Sequence, residues 1–476
     1  MRLLSSHDEQ QLAQALNEAK DNAQRHGRKF IAGFQCSIAD LDFLAVFAAA
    51  HQEERFFGQR PNQHQAFVAL GCAAQIIAEG PQRFATCSRK ATQLFEGAVL
   101  SGYGELAEQR PLLLGGFAFN DAAPALDSPW AGFPSARLVL PQLLITRNPD
   151  AKNEHQVEVS LSLHAEVDAD TDTQAIGDAL LRRVSWLKET LEHPIPTPKQ
   201  ASIDTTEETS EAPYVESVRK ALDCISRGEL EKVVVARSCT VSSHDPFDPS
   251  LVLENLRKNY PSCFIFAASR SGISFLGATP ERLLALRGDE IHSGPLAGSI
   301  PRGQDPAEDE ALEHQLFESK KEQAEHAVVV RAIKNALQPF CSSLQVSEAP
   351  EILKLTDIQH LYTPIQGSLR ESKSILDILG PLHPTPAVAG SPHTAAMKWL
   401  ADNEYLERGW YAGPIGWMND RGEGDFAIAL RAALLRNHEA HLNAGAGIVD
   451  GSVPESEFAE TRLKMRAALS AILEVE

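Results

Sequence analysis

The sequence of 476 residues predicts an α+β protein, in which antiparallel β-sheets are packed with helices. One observation is a series of apolar segments separated by glycine turns, SCFIFAAS, ISFLGAT and RLLALRGDEIHSGPLAG, which is typical of successive antiparallel strands. A second is the helical spacing of apolar residues, which predicts one long helix over 305–340 and a closing helix over 454–475. Between these helices, residues 409–449 predict a meander of three strands with turns at NDRGEGD and RNHEA.

The composition is that of a large globular protein with an acidic surface. Hydrophobic residues make up 43% of the chain, charged residues make up 23%, and the formal net charge is -20. This charge argues against a nucleic acid or an anionic membrane as the partner, because both require a basic surface. An anionic substrate would therefore need a local group of cations or a metal ion.

The cysteines and the start of the chain indicate a cytoplasmic protein. The seven cysteines are odd in number and show no C-x-x-C spacing, so reduced thiols are expected rather than a disulfide framework or a zinc ribbon. The first residues, MRLLSSHDEQQLAQAL, lack the apolar core of a signal peptide. No apolar run reaches the roughly 18 residues that a transmembrane helix needs.

A change in composition at residues 196–213 predicts a solvated connector. The stretch is rich in Pro, Thr, Ser and Glu and has almost no large apolar residues. It divides the chain into an N-terminal α/β subdomain, 1–195, and a C-terminal domain, 214–476, which carries every candidate for chemistry.

Two predicted helices carry carboxylates that could bind a hard cation. Glu457, Glu460 and Lys464 have i, i+3, i+7 spacing and share one helix face. Mg²⁺ takes oxygen ligands, often only one or two of them from the protein. In the middle helix, Lys321 and Glu325 are at i, i+4 beside an apolar run, where a buried Glu needs a partner. The alternative for both sets is a solvated ion pair on a helix surface.

Three further side chains stand at unusual places in predicted strands. Lys232 begins the apolar strand KVVVAR, where desolvation would make it a base, although it could instead extend to water. Glu281 follows a strand end and Thr-Pro; a raised pKa would make it an acid, and a surface turn is the alternative. Arg431 interrupts an apolar strand, so its partner is either a ligand carboxylate or a structural one. The glycines of PLAGS and AGAGIV leave room for a ligand, without a nucleotide-binding pattern.

Eight motifs in this order resemble the chorismate-utilising enzymes. They are KVVVAR, FLGATPERLL, PLAGS, KKEQAEH, HPTPAVAG, GWYAGPIGW, FAIALRAAL and AGAGIVDGSVPESEFAETRLK, and the resemblance covers residues 214–476 almost continuously. The family includes isochorismate, salicylate, anthranilate and aminodeoxychorismate synthases. The resemblance implies large antiparallel sheets packed face to face with helices outside, as in anthranilate synthase component I, and a chorismate-binding catalytic domain at 214–476.

The resemblance also implies a site. Mg²⁺ would be held by Glu325 and Glu460, with Glu457 as a supporting carboxylate nearer to water. The residues that match substrate-contacting or pocket-lining positions of the family are Gly298, Ala387, Val388, Tyr411, Arg431, Gly445 and Lys464. An acidic protein would thus hold a dianion through a metal ion and a few local cations.

Two positions favour water as the nucleophile. Lys232 matches the lysine that activates water in isochorismate and salicylate synthases, and Ala297 stands where aminodeoxychorismate synthases carry a nucleophilic Lys. The implied mechanism has neutral Lys232 deprotonating water as it attacks C2 of chorismate, while Glu281 protonates the departing C4 hydroxyl. The resemblance thus implies an isochorismate synthase of the salicylate and siderophore type, a monomer coupled to a separate isochorismate-pyruvate lyase or isochorismatase. A salicylate synthase, an aminating enzyme with a glutaminase partner, and a non-catalytic relative remain alternatives.

Overall fold

The computed structural model describes residues 3–150, 153–192 and 200–473. Eleven α-helices occur in these ranges: α1 (Ser6–His26), α2 (Phe43–Ala49), α3 (Arg83–Phe95), α4 (Thr173–Glu192), α5 (Glu211–Ser226), α6 (Pro249–Asn259), α7 (Pro306–Glu318), α8 (Lys320–Leu337), α9 (Ile375–Leu382), α10 (His393–Asn403) and α11 (Pro454–Leu473). Two 3₁₀ helices lie at Pro61–Gln63 and Ala107–Gln109. None of the helices in the described part of the chain is long and apolar enough to cross a membrane.

The same ranges contain twenty-five strands. Those of the first half are β1 (Phe30–Ser37), β2 (Arg55–Arg60), β3 (Gln65–Leu70), β4 (Ala74–Ala78), β5 (Val99–Ser101), β6 (Leu112–Phe117), β7 (Ala136–Leu140), β8 (Leu143–Asp150), β9 (Asn153–Val167), β10 (Ile203–Glu208) and β11 (Lys232–Ser243). Those of the second half are β12 (Phe264–Arg270), β13 (Ile273–Thr279), β14 (Arg282–Arg287), β15 (Glu290–Ser293), β16 (Leu296–Pro301), β17 (Cys341–Val346), β18 (Glu351–Lys354), β19 (Ile358–Tyr362), β20 (Ile365–Leu369), β21 (Gly390–Ser391), β22 (Pro414–Asn419), β23 (Gly424–Ile428), β24 (Ala432–Arg436) and β25 (Glu439–Ile448).

The strands form two large sheets and one small sheet. The thirteen-stranded sheet has the order β10-β11-β25-β24-β13-β12-β2-β3-β8-β9-β1-β5, with β21 also paired to β11. The nine-stranded sheet has the order β17-β20-β15-β14-β23-β22-β6-β7-β4, and the small sheet has the order β16-β19-β18. Strands β1 and β5 pair in parallel. The other described pairs are antiparallel, for example β1 with β9 and β24 with β25.

The large sheets pack face to face, and helices cover their outer faces. One apolar core joins Phe266 and Phe275 of the thirteen-stranded sheet to Phe117 and Phe426 of the nine-stranded sheet. A second core lies between the outer face of the thirteen-stranded sheet and helices α1, α2, α4, α6 and α11. Because both faces of the inner strands are covered, strands such as β6 and β7 are buried along their whole length. The predicted α+β class is confirmed.

The N-terminal and C-terminal parts of the chain share both sheets. Strand β2 pairs with β12, and β6 pairs with β22, so hydrogen bonds cross the predicted boundary in each sheet. Residues 200–213 of the predicted connector contain β10, whose side chains are mostly exposed and whose backbone pairs with β11. Residues 196–199 lie outside the described residues. The division into a subdomain 1–195 and a domain 214–476 remains a prediction. Each large sheet contains strands from both sides of this division.

Two element predictions are wrong in ways that affect the site. The single helix predicted over 305–340 is two helices, α7 and α8, because the side chain of Ser319 caps α8 by accepting a hydrogen bond from the backbone of Glu322. The predicted three-stranded meander is four strands, and Arg431 does not interrupt a strand. It lies between β23 of the nine-stranded sheet and β24 of the thirteen-stranded sheet, with a left-handed φ of 53°.

Candidate active site

The site is built where the chain crosses twice between the large sheets. Glu281 lies on the crossing from β13 to β14, and Arg431 lies on the crossing from β23 to β24. The two crossings are hydrogen-bonded side by side, Ile428 N to Glu281 O at 3.0 Å and Ala278 N to Arg431 O at 3.2 Å. Side chains on these crossings leave the sheet planes, so they can project into the space where the sheets separate.

A cavity at this place encloses about 660 Å³ of space not filled by atoms, solvent at its mouth included. Nine of the twelve residues predicted for the site line it: Glu281, Gly298, Glu325, Ala387, Val388, Tyr411, Arg431, Gly445 and Lys464. The other three, Lys232, Glu457 and Glu460, are not among its lining residues. The cavity is also lined by Gly447 of the motif AGAGIV and by residues that the sequence analysis did not single out, among them His360 and Arg408.

Glu281 is a buried carboxyl group with the properties of an acid. Its side chain is 3% exposed, so a solvated surface turn is excluded. Burial raises the pKa of Glu281 to about 8, although Lys232 acts in the opposite direction. Thr279 Oγ1 fixes the turn, since it accepts a hydrogen bond from Glu281 N at 3.3 Å and donates one to Ile428 O at 2.6 Å. The carboxyl group therefore holds its proton at neutral pH.

Lys232 is fully buried behind the cavity wall. Its Nζ lies 2.9 Å from Oε1 of Glu325, an ion pair without hydrogen-bond alignment, since Nζ has no hydrogen-bond partner in the described part of the chain. Extension of this lysine to water is excluded. A Cβ atom at Gly447 would lie 2.6 Å from Lys232 Cε and 2.1 Å from Glu325 Oε1, so only glycine leaves room for the pair. The sequence analysis did not find this role of Gly447, which belongs to the quoted motif AGAGIV.

Four carboxylates from α8 and α11, including the Glu325 partner of Lys232, come together next to the cavity. Glu322 and Glu325 project from α8, and Glu457 and Glu460 project from α11. Lys321 joins the two helices, with its Nζ 2.9 Å from Glu457 Oε1 and 3.0 Å from Glu322 Oε1. Burial and the neighbouring Glu460 raise the pKa of Glu457 to about 7, and burial and Glu325 raise the pKa of Glu322. These are not solvated helix surfaces.

Glu460 is the carboxylate of this group that is most strongly compensated by cations. Burial raises the pKa of Glu460, but Lys464 and Lys321 outweigh burial and hold it at about 2. The Nζ atom of Lys464 lies 2.6 Å from Glu460 Oε1 and donates a hydrogen bond to the carbonyl of Gly445 at 3.2 Å. Lys464 thus connects the carboxylate group to the cavity wall.

The cluster of four carboxylates on α8 and α11 has donor atoms that suit a hard divalent cation. Within the described ranges, no three His, Cys, Asp or Glu side chains are placed to hold a metal ion, and a lysine forms an ion pair with each of the four carboxylates. However, Oε2 of Glu457 is buried without a hydrogen-bond partner among the described residues, and burial together with neighbouring carboxylates raises the pKa values of Glu457 and Glu322. Mg²⁺ commonly binds through one or two protein carboxylates plus substrate oxygens and water. The donors therefore suit Mg²⁺ without a complete protein cage.

Arg431 presents a partly buried positive charge to the cavity. Among the described residues, no carboxylate forms an ion pair with its guanidinium; its Nη2 contacts Nε2 of His360 at 3.2 Å. Burial and Arg431 lower the pKa of His360 to about 3, so His360 is neutral and accepts with Nε2. Its Nδ1 contacts Ser299 Oγ at 3.0 Å and Gly298 O at 3.3 Å. Of the two alternatives for Arg431, this arrangement favours a ligand carboxylate.

Gly298 lines the cavity at a bulge in strand β16. It has a φ of 77° at a register shift between β16 and β19, a conformation that favours glycine. The shift turns the backbone N–H of Ser299 toward α8, where it donates to Glu322 Oε2 at 3.0 Å. The bulge thereby links the substrate cavity to the carboxylate group. His360 lies on β19, within the segment IQHLY, and no local pattern in the sequence marks it as a site residue.

Comparisons with known proteins agree with this geometry. A family model described as chorismate binding enzyme matches residues 14–473. A salicylate biosynthesis isochorismate synthase from Pseudomonas aeruginosa is 36% identical over 461 residues, which cover 94% of this chain and 92% of that protein. The isochorismate synthase MenF from Bacillus subtilis is 31% identical and covers 92% of this chain and 91% of that protein. The solved structure of the menaquinone-specific isochorismate synthase MenF from Escherichia coli has a TM-score of 0.77 at 25% identity, covering 96% of this chain and 100% of that one. The chain therefore belongs to the chorismate binding enzyme family.

Proposed function

We propose that the protein is an isochorismate synthase, which isomerises chorismate to isochorismate. The proposal rests on two groups that line one cavity: the buried carboxyl group of Glu281, whose pKa is raised to about 8, and the guanidinium of Arg431, which has no carboxylate partner among the described residues. A proton donor suits a departing hydroxyl, and a partly buried cation suits a substrate carboxylate. The relatives that are 36% and 31% identical over more than nine-tenths of this chain are isochorismate synthases, which supports the same activity.

The proposed reaction replaces one C–O bond with another. Water attacks C2 of chorismate, the ring double bonds shift, and the bond from C4 to its hydroxyl breaks. Glu281 donates its proton to this hydroxyl, which leaves as water, and Lys232 takes the proton of the attacking water. Arg431 and Lys464 bind the carboxylates of the substrate and so fix the position of the ring.

Lys232 can act as a base only when Glu325 no longer neutralises its ammonium. In the structure the two groups form an ion pair, whereas the resemblance implies a neutral lysine. We propose that Glu325 and Glu460 hold Mg²⁺, with Glu457 in support. When bound, the ion would neutralise a carboxylate of the substrate and draw electron density from it. A Glu325 carboxylate engaged in this way would release the Nζ atom of Lys232 from its ion pair, so that this atom could take the proton of the attacking water.

The proposed product is released to another enzyme. The similarity to a salicylate biosynthesis protein favours a salicylate or siderophore pathway, in which a separate isochorismate-pyruvate lyase or isochorismatase consumes isochorismate. We further propose that the protein acts as a monomer in the cytoplasm. Size-exclusion chromatography with light scattering tests the first of these points, and a stable dimer would contradict it.

The test of the function is product analysis. Purified protein is incubated with chorismate and Mg²⁺ without ammonia, and samples are separated by chromatography and identified by mass. Isochorismate that approaches equilibrium with chorismate, without pyruvate, is the expected result. Equal amounts of salicylate and pyruvate would identify a salicylate synthase instead. Unchanged chorismate would contradict both and favour a non-catalytic relative, and an aminated product formed only with ammonia or a glutaminase would indicate an aminating enzyme.

Two controls separate the metal from the residues. Activity should disappear with EDTA and return with Mg²⁺, and activity that persists in EDTA would contradict the proposed metal. Lys232→Ala and Glu281→Ala should each abolish turnover in a folded protein. More than a few per cent of wild-type activity in either variant would contradict the proposed acid and base.

A further inference from the structure

Arg408 is a buried arginine whose guanidinium contacts three separate segments around the cavity. Its side chain is 1% exposed. Nε and Nη2 donate to the two carboxylate oxygens of Glu404 at 2.6 and 2.7 Å. Nη1 donates to the carbonyl of Val388 at 2.7 Å, and Nη2 also donates to the carbonyl of Val234 at 3.0 Å. One planar group thus joins the segment after α10, the segment 387–389 and strand β11.

The two carbonyl groups belong to two neighbouring walls of the proposed substrate site. Val388 and Val234 both line the cavity. Val234 follows Lys232 by two residues in β11, so both side chains point to the same face of the strand. The walls also contact each other directly, since Val234 N donates to Ala389 O at 2.8 Å. The guanidinium therefore adds two hydrogen bonds beside this backbone contact and holds segment 387–389 against the strand that carries Lys232.

Two neighbours hold the guanidinium in place. Glu404 Oε2 accepts a hydrogen bond from the backbone of Ala236 at 3.4 Å, so the carboxylate is itself attached to β11. On the other side, the guanidinium lies over the ring of Phe119, 4.2 Å from its centroid. Phe119 belongs to the N-terminal part of the chain, and its backbone N–H donates to Gly409 O at 2.7 Å. The N-terminal part thus contributes to the site through this contact, without lining the cavity.

We propose that Arg408 is a positioning residue of the active site, which holds the carbonyl groups of Val388 and Val234 and so fixes segment 387–389 against the strand that carries Lys232. The inference rests on the proposed function. Lysine cannot replace arginine here, because a single ammonium cannot reach a carboxylate and two carbonyl groups that lie in different directions. A displacement of about 1 Å in catalytic geometry can cost about 100-fold in rate. The effect of substitution should therefore appear in catalysis beyond any loss of stability.

The experiment compares three variants with the wild type. Arg408→Lys keeps the charge and removes the planar fork, and Glu404→Gln weakens the support of the fork. Arg137→Lys is the matched control, because Arg137 is 4% exposed, donates to Glu54 Oε2 at 2.9 Å and to Gln75 Oε1 at 3.0 Å, and does not line the cavity. For each protein we would measure the thermal midpoint, kcat and KM for isochorismate formation, and the Kd of chorismate by calorimetry.

We expect kcat/KM to fall about 100-fold in Arg408→Lys and about tenfold in Glu404→Gln, and to stay within twofold in Arg137→Lys. Both Arg→Lys variants should lose thermal stability to a similar degree. If Arg408→Lys does not fold, the kinetics of Glu404→Gln decide the test.

The inference is overturned if kcat/KM of the folded Arg408 and Glu404 variants stays within twofold of the wild type, or if kcat/KM of the Arg137→Lys control falls as much as theirs. If the wild type makes no isochorismate, the proposed function fails. Chorismate affinity then decides the inference, since weaker binding in the Arg408 and Glu404 variants, but not in the control, supports it.

Discussion

The substitution Gly447→Ala tests the arrangement of Lys232 and Glu325 with the smallest possible change. Gly447 lies on β25 beside the ion pair, and the added methyl group would lie 2.1 Å from Glu325 Oε1 and 2.6 Å from Lys232 Cε. Real Cβ atoms essentially never come within 3.0 Å of such neighbours. The carboxylate oxygen must therefore move by at least about 0.9 Å and the lysine by about 0.4 Å, which are the differences from that limit.

The size of the effect follows from these displacements. Misplacement of a catalytic group by about 1 Å costs about 100-fold in rate, so with displacements of up to about 0.9 Å kcat/KM should fall by up to about that factor. Overpacking a buried site lowers the free energy of unfolding by about 1–3 kcal/mol, which leaves a protein of this size folded. Because Glu325 is also a proposed metal ligand, the Mg²⁺ concentration that gives half-maximal activity should rise.

The assay is isochorismate formation at saturating chorismate over a Mg²⁺ titration, with the thermal midpoint measured in parallel. Gly177→Ala is the matched control, because Gly177 lies inside α4 and its Cβ would meet only Leu16 Cδ1, at 3.5 Å. This control should keep wild-type kinetics and gain a little stability, since alanine favours a helix interior. A Gly447→Ala enzyme with kcat/KM within threefold of the wild type would refute the reasoning about the ion pair.

Three further substitutions test the other groups of the site. Glu281→Gln should lower kcat at least about 100-fold and should also stabilise the protein, more at pH 8 than at pH 5. The pKa of Glu281 is about 8 in the folded state against 4.5 for the free side chain, so the wild type loses stability as pH rises between these values; thermal melts that show no such gain would contradict the raised pKa. Glu457→Gln should raise the Mg²⁺ concentration for half-maximal activity about 10- to 100-fold, and an unchanged titration would remove Glu457 from the metal site. Arg431→Lys should raise KM for chorismate about 10- to 100-fold, and steady-state kinetics with an unchanged KM would assign Arg431 a structural role.

Sequence reasoning reached the parts of the site that depend on local geometry. Glu457, Glu460 and Lys464 share one face of α11 because residues three and four apart are neighbours on any helix. Thr279 and Glu281 form a turn that contains a local hydrogen bond, from Glu281 N to Thr279 Oγ1. The α+β class also followed from local periodicity, since strands and helices differ in their spacing of apolar residues.

The ion pair behind the site and the position of His360 depended on contacts between residues far apart in the chain. The ion pair of Lys232 with Glu325 joins β11 to α8, and the space for it exists because Gly447 of β25 has no side chain. His360 entered the site only because β19 pairs with the bulged strand β16.

The position of Arg431 also depended on the tertiary structure, because this residue lies where the chain crosses from one sheet to the other. The apolar run FAIALRAALL looks like one strand, because burial in either sheet selects the same residue types. The sequence by itself therefore determined which side chains could act as acid, base, cation and metal ligand. The tertiary structure alone decided which of them face one cavity, because the packing of two sheets fixes where the chain must leave one and enter the other.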